Sequence, residues 1–233
     1  MAQLVDVKVD GSPMRICTAS PKGKGPFPGV LVTIHGGGLD DFELDLADKL
    51  AAEGFITAAP DIFHRQPNEK DPVKRRGNLK DDELVADMDG GLAWLESSGR
   101  ADTTKLAILG HCMGGRQSYL GACTRPVFRC CVVYYGGNLL KPWGHAGPSP
   151  FDKLAKLEAP VLAFYGNDDD NPSPADVDRT EAELKRLGKE HEFHRYDGAG
   201  HAFQNFLAAD KYRPDATRDS WSRTVKFLLR HLG

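Results

Sequence analysis

The chain has 233 residues and a formal net charge of −3, which suits one α/β domain whose core is covered on both sides. This near-neutral balance lacks the basic stripe that nucleic-acid binding requires, and no apolar stretch approaches the length of a membrane span. The five cysteines lack C-x-x-C spacing, which argues against a disulfide framework and a zinc site, so we predict neither a metal nor a cofactor.

The N-terminal segment has the pattern of a β-hairpin. Residues 5–9 and 14–18 read as extended, and Asp10-Gly11 is a dipeptide typical of hairpin turns. The continuous apolar run 29–34 then predicts a strand buried on both faces, and the sequence His35-Gly36-Gly37-Gly38 follows directly. Glycines at such a strand end let backbone amides approach a bound ligand, although a flexible strand-to-helix turn has the same composition.

The rest of the chain alternates helical and extended patterns. We predict helices that start at Asp40 or Asp41 and at Ser173-Pro174, a helix that contains Trp221 to Leu232, and further helices over 84–99 and 114–123. The strands between them are predicted at 55–59, 105–109, 130–135, 159–165 and 191–196. This order indicates a mainly parallel sheet with helices on both faces.

Residues 68–82 form a strongly charged segment within this pattern. Such a run is typical of a solvated loop or helix face. In a second interpretation one of its arginines binds a substrate carboxylate.

The run Ile108 to Gly115 contains a G-x-C-x-G motif, with Cys112 between a buried strand and a helix start. Glycines on both sides suit a nucleophile elbow, where neighbouring Cβ atoms would collide with the strand or helix. The helix N-terminus favours an anion, so the Cys112 thiol is expected to ionise more readily than a free cysteine. Taken alone, the motif also suits an inert turn with a small apolar cysteine.

His201 is the candidate general base because it follows the last predicted strand and lies after Gly198-Ala199-Gly200. The acid must come from a loop after an earlier strand, where Asp168, Asp169 and Asp170 compete. We select Asp168 because it follows the strand most closely, and we expect Asp169 and Asp170 to form the turn or to be solvated. The order nucleophile, acid, histidine is the one used by α/β-hydrolases.

These features together resemble the dienelactone hydrolase family of α/β-hydrolases. The resemblance extends over nearly the whole chain and is carried by Gly110-His111-Cys112-Met113-Gly114-Gly115, Pro60-Asp61 with Arg65-Gln66, Tyr134-Tyr135-Gly136, Gly166-Asn167-Asp168 with Pro172, and Ala199-Gly200-His201-Ala202-Phe203. It implies an α/β-hydrolase fold and a catalytic triad of Cys112, Asp168 and His201. It also implies that the backbone N–H groups of Met113 and Gly36 form the oxyanion hole.

The chain departs from the founding members of this family at two places. Where they carry a glutamate that pairs with the resting thiol, this chain has His35, which is a candidate partner of the thiolate. Where they carry a substrate-binding arginine after the catalytic histidine, it has Gln204-Asn205. Gly37 is a further candidate for substrate binding, and Tyr135 at a strand end either lines the pocket or packs in the core.

The sequence therefore predicts a cytoplasmic hydrolase, without a signal-peptide pattern, that acts on a small ester or lactone. Because a thiolate leaves a tetrahedral intermediate more easily than an alkoxide does, enol lactones and activated esters are the expected substrates. A thioesterase or peptidase that uses the same cysteine and histidine is the nearest alternative. A binding protein that retains the pocket but lacks the chemistry is another, since fold does not fix function.

Overall fold

The computed structural model describes residues 1–144 and 146–233 and is built around an eight-stranded sheet in the order β1-β2-β4-β3-β5-β6-β7-β8. The strands are β1 (Gln3–Val9), β2 (Ser12–Ala19), β3 (Phe27–Thr33), β4 (Ile56–Pro60), β5 (Ala101–His111), β6 (Phe128–Tyr134), β7 (Val161–Gly166) and β8 (His191–Tyr196). Strands β1 and β2 pair antiparallel, as do β2 and β4, and the other neighbouring strands are parallel. The predicted mainly parallel sheet with an antiparallel N-terminal hairpin is confirmed.

Six helices surround the sheet in the described part of the chain. They are α1 (Asp41–Ala52), α2 (Pro72–Gly77), α3 (Asp81–Ser97), α4 (Met113–Thr124), α5 (Pro174–Arg186) and α6 (Pro214–Leu232), with a 3₁₀ turn at Leu154–Lys156. Helix α6 begins at Pro214, well before Trp221. The sequence pattern did not reveal its first turns because they are largely polar and give little apolar periodicity. No helix within residues 1–144 and 146–233 is both long and apolar enough to cross a bilayer.

The core lies in two layers, one on each face of the sheet. Val30 and Val32 of β3 belong to an apolar cluster that includes residues of α1 and α6. Leu31, between them, belongs to a second cluster that includes residues of α3, α4 and α5. Since successive side chains of a strand leave the sheet on opposite faces, burial of all three explains the uninterrupted apolar sequence of this strand.

The parallel strands direct their carboxyl ends to one edge of the sheet. The loop with His35 follows β3, Cys112 follows β5, the aspartate turn follows β7, and His201 lies in the loop after β8. Ligands of open α/β sheets bind at this edge. The fold therefore places the predicted site residues on neighbouring loops of the same edge.

Candidate active site

Cys112 occupies a sharp turn between β5 and α4. Its φ of 58° and ψ of −121° lie in a region that L-residues rarely adopt. A Cβ on Gly110 would lie 2.1 Å from Thr33 Oγ1, and one on Gly114 would lie 1.8 Å from the Thr33 carbonyl oxygen. Only glycine fits at both positions, so the glycines of the motif are explained by the packing of the turn against the end of β3.

A continuous set of contacts links the thiol to a histidine and a carboxylate. His201 Nε2 lies 2.9 Å from Cys112 Sγ, and His201 Nδ1 lies 2.9 Å from Asp169 Oδ2. The Asp169 side chain is 2% exposed, and its Oδ1 accepts a hydrogen bond from the Asn171 N–H at 2.8 Å. The carboxylate is therefore fixed on both oxygens and fixes the orientation of the imidazole in turn.

The choice of Asp168 as the partner of His201 is wrong, because the structure places Asp169 there. The backbone N–H of Asp168 bonds to the Ala199 carbonyl at 2.9 Å, which continues the pairing of β7 with β8. The Asp168 side chain is left exposed, while the next residue turns back under the imidazole. The hydrogen bond from Asn171 to Asp169 is the turn-forming contact predicted for an aspartate here, and it positions the acid as well.

The electrostatics of the site favour an ionised thiol. Burial raises the pKa of Cys112, but the hydrogen bond and charge of His201, together with the Met113 N–H, lower this pKa by more than burial raises it. The net shift of the Cys112 pKa is therefore downward. Burial lowers the pKa of His201, and this is outweighed by Asp169 and by Cys112, which raise it above its usual value. Both shifts have the direction of a thiolate–imidazolium pair.

The other four cysteines show the opposite behaviour. Burial raises the pKa of Cys17 to about 11 and that of Cys123 and Cys130 to about 12, and it raises the pKa of Cys131 as well. All four are buried, and none of them forms a disulfide bond. Cys112 is half-buried and stands apart from them in both exposure and acidity.

The loop after β3 lies against the elbow. A Cβ on Gly36 would lie 3.4 Å from Met113 Sδ, so the two residues predicted to supply the oxyanion hole are adjacent. Thr33 Oγ1 lies 2.8 Å from the Gly114 carbonyl oxygen and 2.8 Å from Ser118 Oγ. These contacts tie the end of β3 to the first two turns of α4, whose leading N–H groups have no partner within the helix.

His35 is held by two acids that the sequence analysis did not assign to the site. His35 Nε2 lies 2.9 Å from Asp40 Oδ2, and the His35 N–H donates to Glu43 Oε1 at 2.9 Å. A Cβ on Gly37 would lie 2.5 Å from the His35 ring and 2.8 Å from Asp40 Oδ2, so glycine is required for this contact. The sequence did contain a sign that Glu43 is buried, because this residue lies one turn before Leu46 on the apolar face of α1.

Tyr135 and Gln204 pack against the histidines at the site, Tyr135 against His201 and Gln204 against His111. Tyr135 is 1% exposed, and its ring packs edge-on against His201 at 5.2 Å, so it packs instead of lining an open cleft. Gln204 Oε1 accepts from His111 Nε2 at 2.8 Å, and Gln204 Nε2 donates to Ser220 Oγ at 2.9 Å. Gln204 thereby joins the strand before Cys112 and the loop after His201 to α6.

Comparisons with known proteins identify the family to which the chain belongs. The sequence model of the dienelactone hydrolase family matches residues 14–232. A protein of Methylorubrum extorquens named "putative carboxymethylenebutenolidase" is 32% identical over 88% of this chain and 72% of its own length. A "probable 2-oxo-3-(5-oxofuran-2-ylidene)propanoate lactonase" of a Bradyrhizobium species is 30% identical over 98% of this chain and 94% of its own length.

Solved structures show the same relationship. The crystal structure titled "putative dienelactone hydrolase" from Klebsiella pneumoniae superposes with a TM-score of 0.90 at 28% identity, and the match covers 98% of each chain. The family match extends over almost the whole chain and the relatives are hydrolases of ester or lactone bonds by name. This chain therefore belongs to the dienelactone hydrolase family of ester and lactone hydrolases.

Proposed function

We propose that this protein hydrolyses small enol lactones or activated esters through a thioester on Cys112, with His201 and Asp169 as the other triad members. The observation that carries the proposal is the unbroken contact from Cys112 Sγ through His201 to Asp169 at 2.9 Å and 2.9 Å. A nucleophile, a base and an orienting acid in this arrangement are the requirements of acyl transfer.

In the first half-reaction the Cys112 thiolate attacks the carbonyl carbon. A C–S bond forms, and the carbonyl π electrons move to the oxygen, where the N–H groups of Met113 and Gly36 stabilise the negative charge. The oxyanion then collapses and the C–O bond breaks, so its electron pair leaves with the enolate or alkoxide. The His201 imidazolium supplies the proton that this leaving group needs.

In the second half-reaction water attacks the thioester carbonyl. Neutral His201 takes a proton from this water, and the C–S bond breaks with its electron pair returning to sulfur. Asp169 holds the imidazole in the tautomer that accepts the proton on Nε2 and stabilises the cation that results. The thiolate–imidazolium pair is restored together with the free acid.

The chemistry of sulfur selects the substrate class. A thiolate is a better leaving group than an alkoxide, so an intermediate from a plain alkyl ester tends to return to reactants. An enolate or phenolate leaves readily, and the reaction then proceeds to the thioester. We infer that enol lactones and aryl esters react faster than alkyl esters of the same acid, and that His35 supports the resting thiolate.

Arg76 is the candidate anchor for a substrate carboxylate. Its Cδ would lie 3.1 Å from a Cβ on Gly36, so the exposed side chain of this arginine reaches the oxyanion loop. A cleft of about 420 Å³ beside His201 is lined by the acids Asp168, Asp170 and Asp210 and also by the bases Lys211 and Arg213, so its charges partly offset one another. The proximity of Arg76 to the oxyanion loop supports an anionic substrate group on this side, and the Bradyrhizobium relative is named for a lactone with a propanoate group.

Replacing Arg76 with alanine tests this anchor. We expect the KM for a lactone with a free carboxylate to rise by about tenfold, because a charge-assisted hydrogen bond is lost. The KM for p-nitrophenyl acetate, which has no carboxylate, should stay close to that of the wild type. Lys74→Ala, a change on the same helix, serves as the matched control. An equal rise in KM for both substrates would remove Arg76 from the recognition of anions.

Trapping the acyl group tests the proposed function directly. The protein is mixed with p-nitrophenyl acetate, quenched in acid during turnover, digested and measured by mass spectrometry. We expect the acetyl group on the peptide that contains Cys112, since a thioester survives acid quenching. Peptides with the other four cysteines should remain unmodified, because burial keeps those thiols protonated. Turnover with no acyl group on Cys112 would contradict the proposal.

A further inference from the structure

A second pair of histidine and aspartate belongs to the loop that packs against the elbow of Cys112. His35 Nε2 and Asp40 Oδ2 are 2.9 Å apart, and the side chains of the two residues are 12% and 30% exposed. The first pair, His201 and Asp169, has the same separation of 2.9 Å. A partly buried ion pair of this kind is screened far less by solvent than a pair on the surface.

The second pair is fixed by its surroundings. Asp40 is the N-cap of α1, and its Oδ1 accepts hydrogen bonds from the N–H groups of Phe42 and Glu43. The Phe42 ring packs edge-on against His35 at 5.4 Å, and Glu43 Oε1 holds the His35 N–H. The orientation of the His35 imidazole is thus set from α1 through ring packing, a backbone contact and the ion pair.

The second pair belongs to the loop that is predicted to supply one N–H group of the oxyanion hole. His35 directly precedes Gly36, which is adjacent to Met113, whereas His201 contacts the sulfur from the loop after β8. The charge of His35 acts on the pKa of Cys112, and that of Cys112 acts on the pKa of His35. Charges on two different loops therefore act on one thiol, and His201 is the imidazole in direct contact with the sulfur.

We propose that protonated His35, with its charge maintained by Asp40, stabilises the Cys112 thiolate at rest and the carbonyl oxyanion during the reaction. Asp40 and Glu43 are positioning residues in this scheme, since they act through His35. The inference rests on the proposed function and adds a second charged group to the oxyanion side of the site. As the sulfur attacks, negative charge moves from sulfur to oxygen, and His35 lies on the loop next to both positions.

The groups that face His35 favour its charged form. Burial lowers the pKa of His35, but the nearby carboxylate of Asp40 and the charges of Glu43 and Cys112 raise it above the usual value. Burial raises the pKa of Glu43 to about 7, so its negative charge grows around neutrality. The charged or titratable groups around His35 are Asp40 and Glu43 from α1, His111 and Cys112 from β5 and the elbow, Arg76 from α2 and His201 from the last loop.

The test compares His35→Gln and Asp40→Asn with the wild type across pH, using kcat/KM for p-nitrophenyl acetate. At pH about 6 the wild-type imidazole is charged, so His35→Gln should be about 100-fold slower, and the ratio should approach one as the pH rises and His35 becomes neutral. In Asp40→Asn the pKa of His35 falls, so this variant should match the wild type at low pH and be about tenfold slower near pH 8. Asparagine is as good an N-cap as aspartate, so α1 is retained.

The two variants thus have pH dependences of opposite direction, which a purely structural role would not produce. Iodoacetamide alkylation of Cys112 should also be slower in both variants at the pH where each has lost the charge. Asp41→Asn, an exposed acid in the same helical turn, is the matched control and should follow the wild type at every pH. Ratios that do not change with pH, or alkylation rates equal to those of the wild type, would overturn the inference. If the Cys112→Ala variant still hydrolysed the ester, the proposed function itself would fail instead.

Discussion

Cys112→Ala should lower hydrolysis of activated esters by about 10⁴-fold or more while the protein stays folded. The structure explains the size of the effect, because alanine keeps the Cβ of the elbow but removes the sulfur that His201 contacts at 2.9 Å. The measurement is kcat/KM for p-nitrophenyl acetate and for a dienelactone, with circular dichroism as the test of folding. Full residual activity would remove Cys112 from the mechanism.

Cys131→Ala provides the matched control for this experiment. Cys131 is fully buried in β6 and burial raises its pKa, so it cannot act as a nucleophile from its present position. Loss of its sulfur should lower the thermal stability, because a small cavity remains in the core. The activity of the folded protein should stay near that of the wild type. Cys112→Ala thus tests the loss of a reactive thiol, whereas Cys131→Ala tests the loss of a packed one.

Asp169→Asn should lower kcat by about 10³- to 10⁴-fold, because an amide in this position can stabilise the wrong tautomer of His201 and no longer balances its charge. The replacement is nearly isosteric, so the contact with the Asn171 N–H can be kept through the amide oxygen. The pKa of His201 should fall as well, since Asp169 is one of the groups that raise it. The acidic limb of the pH profile of kcat/KM and the chemical shifts of the imidazole report this change.

Asp168→Asn distinguishes the structure from the choice made by sequence alone. Asp168 is exposed and its backbone is paired with Ala199, so its replacement should change kcat by less than about threefold. If the Asp168 variant lost activity and the Asp169 variant kept it, the acid would have to be assigned to Asp168 after all. Each of the two variants replaces one carboxylate with an amide, at Asp168 or at Asp169, so both variants have the same net charge.

The order of elements was predictable because each carries a local signal. Residues 5–18 alternate about an Asp10-Gly11 turn, and both turn residues have positive φ in the structure, at 49° and 77°. Buried strands such as β3 read as continuous apolar runs, and α5 begins with Ser173, which forms a complete capping box with Asp176. The glycines around Cys112 predicted the elbow correctly, because a Cβ atom on Gly110 or Gly114 would collide with Thr33.

The positions of side chains within one turn were not predictable in the same way. Asp168 and Asp169 differ only by a step along the chain, and which carboxylate faces His201 depends on the backbone pairing of Asp168 with Ala199. The contact of His35 with Asp40 likewise depends on how the loop folds over Gly37, which no periodicity in the sequence records. Asp40 was recognised as a helix cap, and a capping side chain still has a second oxygen free for another partner.

The single hydroxyl of Thr33 has a consequence for how the site meets its substrate. It links the strand that carries the oxyanion loop to the helix that follows the nucleophile, through two 2.8 Å contacts with α4, to the Gly114 carbonyl oxygen and to Ser118 Oγ. The two amides that would receive the developing charge are therefore mounted on one rigid frame before any ligand arrives. Preorganised dipoles of this kind do not have to rotate during the reaction, so the free energy needed to align them is part of folding and does not add to the activation barrier.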